Sequence, residues 1–189
     1  METETKIVCL VGPSGVGKTS YMKRLMEKYH FTLPSVATTR QRRTDDDEHY
    51  RYVTEREFLE MINANAFLEW DKYLHYYYGT FVRDIEDAIC KHSPGILLDL
   101  TPKGCQQVAD AMSQAIIIAI LPDNPAWLFE RLVGRNSQPP EEIRSRTSLV
   151  KSYLDEMNSL TCVNKKIFAG FSPNTWDKTF GEIERAIFE

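Results

Sequence analysis

The stretch Gly12-Pro13-Ser14-Gly15-Val16-Gly17-Lys18-Thr19, entered from the apolar run Ile7-Val8-Cys9-Leu10-Val11, leaves this chain few folds to choose from. It carries every fixed position of the pattern G-x-x-x-x-G-K-[ST], which works only between a buried strand and the first turn of a helix. A helical pattern does follow, with Tyr21, Leu25 and Met26 spaced to face a core. The glycines let backbone N–H groups turn inward around a phosphate, and the helix N-terminus adds positive potential. In such a loop the lysine, here Lys18, reaches the β- and γ-phosphates of a nucleotide, and the hydroxyl of Thr19 ligates Mg²⁺.

Beyond the loop, strand-like and helical patterns alternate. Apolar runs at 6–11, 95–100 and 115–121 read as buried strands, with a further one at 162–168. Helical patterns cover 18–29, 82–92, 102–113, 125–133, 140–160 and 176–188. Pro102, Pro125 and Pro140 stand near helix starts, where a missing N–H costs nothing. The alternation predicts an α/β fold around a mainly parallel sheet. Residues 35–79 interrupt it. There, 50–54 and 67–73 read as short antiparallel strands, and Thr54-Glu55-Arg56-Glu57 is a capping box opening a helix that carries Phe58, Leu59, Met61 and Ile62. This segment is expected to form an inserted β-rich subdomain. A polar loop at 134–141 is a second interruption, between two helices.

Composition narrows the function classes. A chain of 189 residues with 42% hydrophobic content fits one packed domain. No apolar run approaches the roughly 20 residues of a membrane span. The acidic start Met1-Glu2-Thr3-Glu4-Thr5-Lys6 lacks the apolar region of a signal peptide, so a cytoplasmic location is expected. A net charge of −4 argues against general nucleic-acid binding. Cys9, Cys90, Cys105 and Cys162 are scattered without C-x-x-C spacing and read as reduced, partly buried thiols.

Two basic clusters stand out against this acidic background. Arg40, Arg42 and Arg43 follow Thr38-Thr39, while Arg131 and Arg135 lie four apart on one helix face, with Arg144 and Arg146 across the polar loop. The forked donors of guanidinium fit phosphate oxygens. A lone arginine is most often solvated surface charge, but two clusters in a chain with a phosphate loop point to anion recognition. Glu69-Trp70 precedes Tyr76-Tyr77-Tyr78-Gly79-Thr80. A carboxylate on a short strand can accept hydrogen bonds from an adjacent N1–H and exocyclic amino group, which guanine presents and adenine does not. From spacing alone, a solvent-facing Glu69 beside packing tyrosines fits equally well.

Taken in order, these residues resemble the guanylate kinase family over nearly the whole chain. The resemblance rests on G-P-S-G-V-G-K-T (12–19), T-T-R-x-x-R (38–43), Tyr50 before Tyr-Val-Thr, F-L-E-W (67–70), Y-Y-G-T (77–80), I-L-L-D (96–99), R-L-x-G-R (131–135) and E-E-I-x-x-R (141–146). It implies a P-loop three-layer sandwich forming one domain. The core would comprise 1–34, 81–125 and 156–189, with a β-rich GMP-binding subdomain at 35–80 and a helical lid at 126–155. It implies that Gly12, Pro13, Ser14, Gly15, Val16, Gly17, Lys18, Thr19 and Ser20 hold ATP. Arg40, Arg43, Tyr50 and Tyr78 would hold the GMP phosphate, and Glu69 and Thr80 would read guanine. Arg131, Arg135 and Arg146 would close on the transferring phosphoryl beside Lys18 and Arg40. Asp99 would lie near the acceptor or, with Thr19, near Mg²⁺.

The implied reaction is ATP + GMP ⇌ ADP + GDP, with dGMP as a further acceptor and Mg²⁺ as cofactor. Small nucleotides, rather than nucleic acid or membrane, are the implied partners of a monomer. Three features depart from the family. Val36 stands where a serine helps read guanine, Thr101 replaces a second aspartate, and Asp45-Asp46-Asp47-Glu48 replaces a glycine-containing loop. None touches phosphoryl chemistry, so an active kinase is expected, with guanine selectivity or GMP affinity the property these changes affect. A kinase of another nucleotide or a ribose phosphate, and a non-catalytic interaction domain of the same fold, are the alternatives; Lys18 and the lid arginines argue against the second. A regulatory GTPase is excluded, because Asn164-Lys165-Lys166-Ile167 lacks the aspartate of N-K-x-D.

Overall fold

The computed structural model describes residues 4–42, 48–133 and 140–189; for residues 129, 132–133 and 140–149 the backbone alone is described. Four strands form a wholly parallel sheet in the order β6 (Gly95–Leu100), β1 (Lys6–Val11), β7 (Ile116–Pro122), β8 (Lys165–Ala169). A bridge from Thr32 to Ile96 extends it past β6. The period of two along β1 explains the layering. Val8 and Leu10 face one side, with Tyr21 and Leu25 of α1 (Lys18–Tyr29) and Phe180, Ile183 and Ile187 of α7 (Pro173–Phe188). Ile7, Cys9 and Val11 face the other, with Ile85 of α3 (Val82–Cys90), Cys105 and Val108 of α4 (Pro102–Ala111) and Met157 of α6 (Pro140–Ser159). Leu25 and Phe180 are fully enclosed, Met26 only partly. Helix α5 (Ala126–Val133) runs from the end of β7.

A second sheet holds β3 (Tyr50–Tyr52), β2 (Val36–Thr38), β5 (Tyr76–Phe81) and β4 (Phe67–Tyr73), in that spatial order. Here the sequence reading needs correcting. The strand expected at 50–54 stops at Tyr52, because Thr54 caps α2 (Glu55–Asn63): Thr54 Oγ1 accepts from Glu57 N at 3.2 Å and Glu57 Oε2 accepts from Thr54 N at 2.7 Å. It also pairs parallel, with β2, and never meets β4. The two middle strands β2 and β5 carry little periodic signal of their own, the first being three residues long and the second opening on three tyrosines. β5 pairs antiparallel with both β2 and β4. Leu74, at φ 57°, helps turn β4 into β5. Phe58, Phe81 and Ala37 form the core of this sheet, with Phe67, Trp70 and Tyr77 packed around them.

Other boundaries shift by a few residues. α7 begins at Pro173 rather than 176, with Ser172 ahead of it. The strand expected at 162–168 starts at Lys165, because Asn164 Oδ1 is engaged by Ile117 N at 2.7 Å. Cys9 and Cys105 are buried and Cys162 is half-buried, all free; Cys90 is exposed, against expectation, because it ends α3 on its solvent side. Gln107 on α4 joins the two sheets. Its Nε2 donates to Trp70 O at 2.8 Å and its Oε1 accepts from Trp70 N at 3.2 Å.

Candidate functional site

Parallel pairing of β1 with β6 sets Leu10 opposite Asp99 and Val11 opposite Leu100, so the phosphate loop and Asp99 emerge together at the carboxyl edge of the sheet. The chain leaves β1 and next enters this sheet at β6 on one side, then leaves β6 through α4 and crosses β1 to β7 on the other. The connections of these two neighbours thus run in opposite directions, and ligands of open α/β sheets bind at such a point. Lys18 Nζ donates to Gly12 O at 2.7 Å, folding the loop around its own ammonium, and lies 3.5 Å from Asp99 Oδ1. Gly12 has no room for a side chain: a Cβ would fall 2.3 Å from the carbonyl oxygen of Ile120. Gly17 adopts φ 110°, and Trp176 packs against its Cα. Val16 points away, into the core.

The small sheet supplies the opposite wall. Glu69 on β4 is only 6% exposed, and its Oε1 accepts from Thr80 N (3.2 Å) and Thr80 Oγ1 (2.5 Å) across the strand pair. Burial raises the pKa of Glu69 to about 7; the two Thr80 bonds pull it down, and the negative charges of Asp71 and Asp99 push it up. Arg40, buried after β2, lies over the ring of Tyr50 at 4.7 Å and donates to Gln41 O at 3.0 Å. Burial and the charge of Asp99 push the Tyr50 phenol above its ordinary value, against the pull of Arg40.

The two walls enclose one cavity of about 460 Å³. Of the expected residues, Gly12, Ser14, Gly15, Gly17, Lys18, Thr19, Ser20, Arg40, Tyr50, Glu69, Tyr78, Thr80 and Asp99 line it; Pro13, Val16 and Arg131 do not. Arg131 instead lies over Trp176, its guanidinium 5.5 Å from the ring centre. Arg43 and Arg135 fall outside the described residues, as does the side chain of Arg146. The sequence reading passed over Asp71, Tyr73 and His49, which also line the cavity. The period of two from Glu69 along β4 was the available signal for the first two. Thr101 donates from Oγ1 to Asp71 Oδ2 at 2.7 Å. Val36 lies opposite Thr80, an apolar group on the cavity wall.

A parallel sheet edged by a glycine-rich loop, facing a small sheet that carries a buried carboxylate and a buried arginine across one cavity, defines a P-loop α/β protein. The family model described as guanylate kinase matches residues 4–170. Similar curated proteins include guanylate kinases of Prochlorococcus marinus strain NATL2A, 31% identical over 189 residues (97% of this chain, 96% of the relative), and of Shewanella violacea, 36% identical over 162 residues (84% and 78%). Among solved structures, guanylate kinase from Anaplasma phagocytophilum superposes with a TM-score of 0.71 at 20% identity, over 100% of this chain and 89% of that one. The chain belongs to the guanylate kinase family.

Proposed function

We propose that this protein transfers the γ-phosphoryl group of ATP to GMP, and to dGMP, giving ADP and the corresponding diphosphate. One observation carries the reading: the phosphate loop and the buried Glu69–Thr80 pair line the same cavity. An ionised, dehydrated carboxylate fits a ligand edge made of N–H donors, as guanine offers, and repels adenine's N1 lone pair.

The phosphate-loop amides and Lys18 hold the β- and γ-phosphates of ATP. Arg40, Arg43, Tyr50 and Tyr78 hold the phosphate of GMP. Arg131, Arg135 and Arg146 swing inward with the lid at 126–155 as the subdomain at 35–80 closes. The transition state is loose and asks for positioning and charge stabilisation rather than a base or covalent nucleophile. Closure also shuts out water that would otherwise take the phosphoryl group. Thr19 and Asp99 both offer hard oxygen donors to the cavity, a set suited to Mg²⁺ shared with substrate phosphates. Bound there, Mg²⁺ supplies charge neutralisation on the phosphate oxygens.

No helix among the described residues is long and apolar enough to cross a membrane. A cytoplasmic monomer acting on free nucleotides, without nucleic acid or membrane, completes the proposal. A coupled ADP-release assay with ATP, Mg²⁺ and GMP, dGMP, AMP, CMP, UMP or ribose bisphosphate tests it. Turnover with GMP and dGMP alone is expected. Equal turnover of AMP overturns the base assignment, and no turnover with any acceptor overturns the activity.

A further inference from the structure

We propose that Asp71 is a second reader of the acceptor base, supplying from β4 the carboxylate that the family resemblance leads one to expect at position 101. The inference rests on the GMP reading of the site.

Three observations lead to it. On β4, residues two apart share a face. Glu69 and Asp71 both line the cavity, while Trp70 between them packs with the small-sheet core. Asp71 is also no surface acid, its side chain being 18% exposed. Its Oδ2 is held by the Thr101 hydroxyl at 2.7 Å, its Oδ1 accepts from Lys72 N at 2.8 Å, and Lys103 Nζ lies 3.7 Å from that oxygen. Finally, Thr101 has its hydroxyl orientation dictated from both sides. Its Oγ1 caps α4 by accepting from Gly104 N at 3.1 Å, and its proton goes to Asp71. Thr101 is thus a positioning residue, and the charge at the end of β6 belongs to its partner across the gap.

The chemistry matches the donor count of guanine. That edge carries N1–H and both protons of the 2-amino group. Glu69 Oε1 already accepts twice from Thr80, which leaves Glu69 short of sites for all three, since a carboxylate has about four lone-pair sites in all. Val36 offers no polar atom from its side chain. Asp71 supplies the missing acceptor for the 2-amino group. Hypoxanthine lacks that group, so Asp71 distinguishes GMP from IMP, whereas Glu69 distinguishes both from AMP.

The test is kcat/KM for GMP and IMP in the full-length protein and its variants. Asp71→Ala is expected to lower the GMP/IMP ratio by about 10- to 100-fold, mainly through KM for GMP, with KM for ATP unchanged. Asp71→Asn, nearly isosteric, should move the ratio in the same direction if the alanine variant folds poorly. Adding Thr101→Asp to Asp71→Ala returns the carboxylate to the end of β6, where aspartate is also a good helix cap, and should restore the ratio. Equal losses for GMP and IMP, or no change in either, would overturn the assignment of Asp71. Wild-type protein inactive with GMP would instead overturn the functional reading beneath it.

Discussion

On the cavity wall proposed to hold phosphate, the recognising groups are mostly backbone. Gly12 is pressed against Ile120, Gly17 is turned to a positive φ under Trp176, and Lys18 bonds back to its own loop. On the other wall, proposed to hold the acceptor, the backbone is a frame and side chains face the cavity. Glu69, Thr80, Arg40 and Tyr50 come from four strands or their ends and depend on each other for orientation. Two large apolar clusters brace the first wall, one small cluster around Phe58 the second. The contrast fits the tasks. Under the proposed function, triphosphate recognition is generic and gains from rigidity, whereas base recognition is particular to one ligand and is assembled from replaceable parts.

Breaking each wall in turn should separate these roles. Lys18→Ala removes the one ammonium on the loop and should lower kcat by about 10²–10³ or more, with circular dichroism unchanged. Phe58→Ala removes the centre of the small cluster. It should cost about 3–5 kcal/mol of stability and raise KM for GMP more than KM for ATP, as read by urea titration and steady-state kinetics.

A pH series sharpens the comparison. With the Glu69 pKa raised to about 7, its carboxyl is largely protonated at pH 6 and ionised at pH 8. GMP affinity should therefore rise about tenfold over that interval. Glu69→Gln should flatten this part of the profile, which separates it from titration of the GMP phosphate near pH 6. The sign for stability is opposite. Between about pH 4.5 and 7 the folded state binds more protons than the unfolded, so the Glu69 contribution to stability declines as pH rises through 7. The smallest effect is expected from Thr54→Ala, which loses the α2 capping box at a cost of about 1 kcal/mol and leaves kinetics with both substrates near wild type.

The same contrast decides what could be read from sequence. The loop at 12–19 is contiguous, and β1, β6 and α1 are written as one unbroken pattern each, so their bounds emerge directly. The small sheet depends on pairing between distant short strands. Val36–Thr38 is too short to show a period, and Tyr76–Phe81 reads as aromatic packing until β4 is placed beside it. Glu69 could be named but not shown to be buried, because its burial comes from Thr80 and Gly104 on other elements. Asp71 was missed because its partner, Thr101, lies 30 residues away and shares no motif with it.

Trp70 occupies the outer edge of the small sheet, where a strand would ordinarily leave its amide and carbonyl open to pairing with any extended chain nearby. The carboxamide of Gln107 satisfies both groups at once, as a neighbouring peptide would. One side chain thus does the work of a missing fifth strand, and it denies intermolecular β-association a foothold at the centre of that edge.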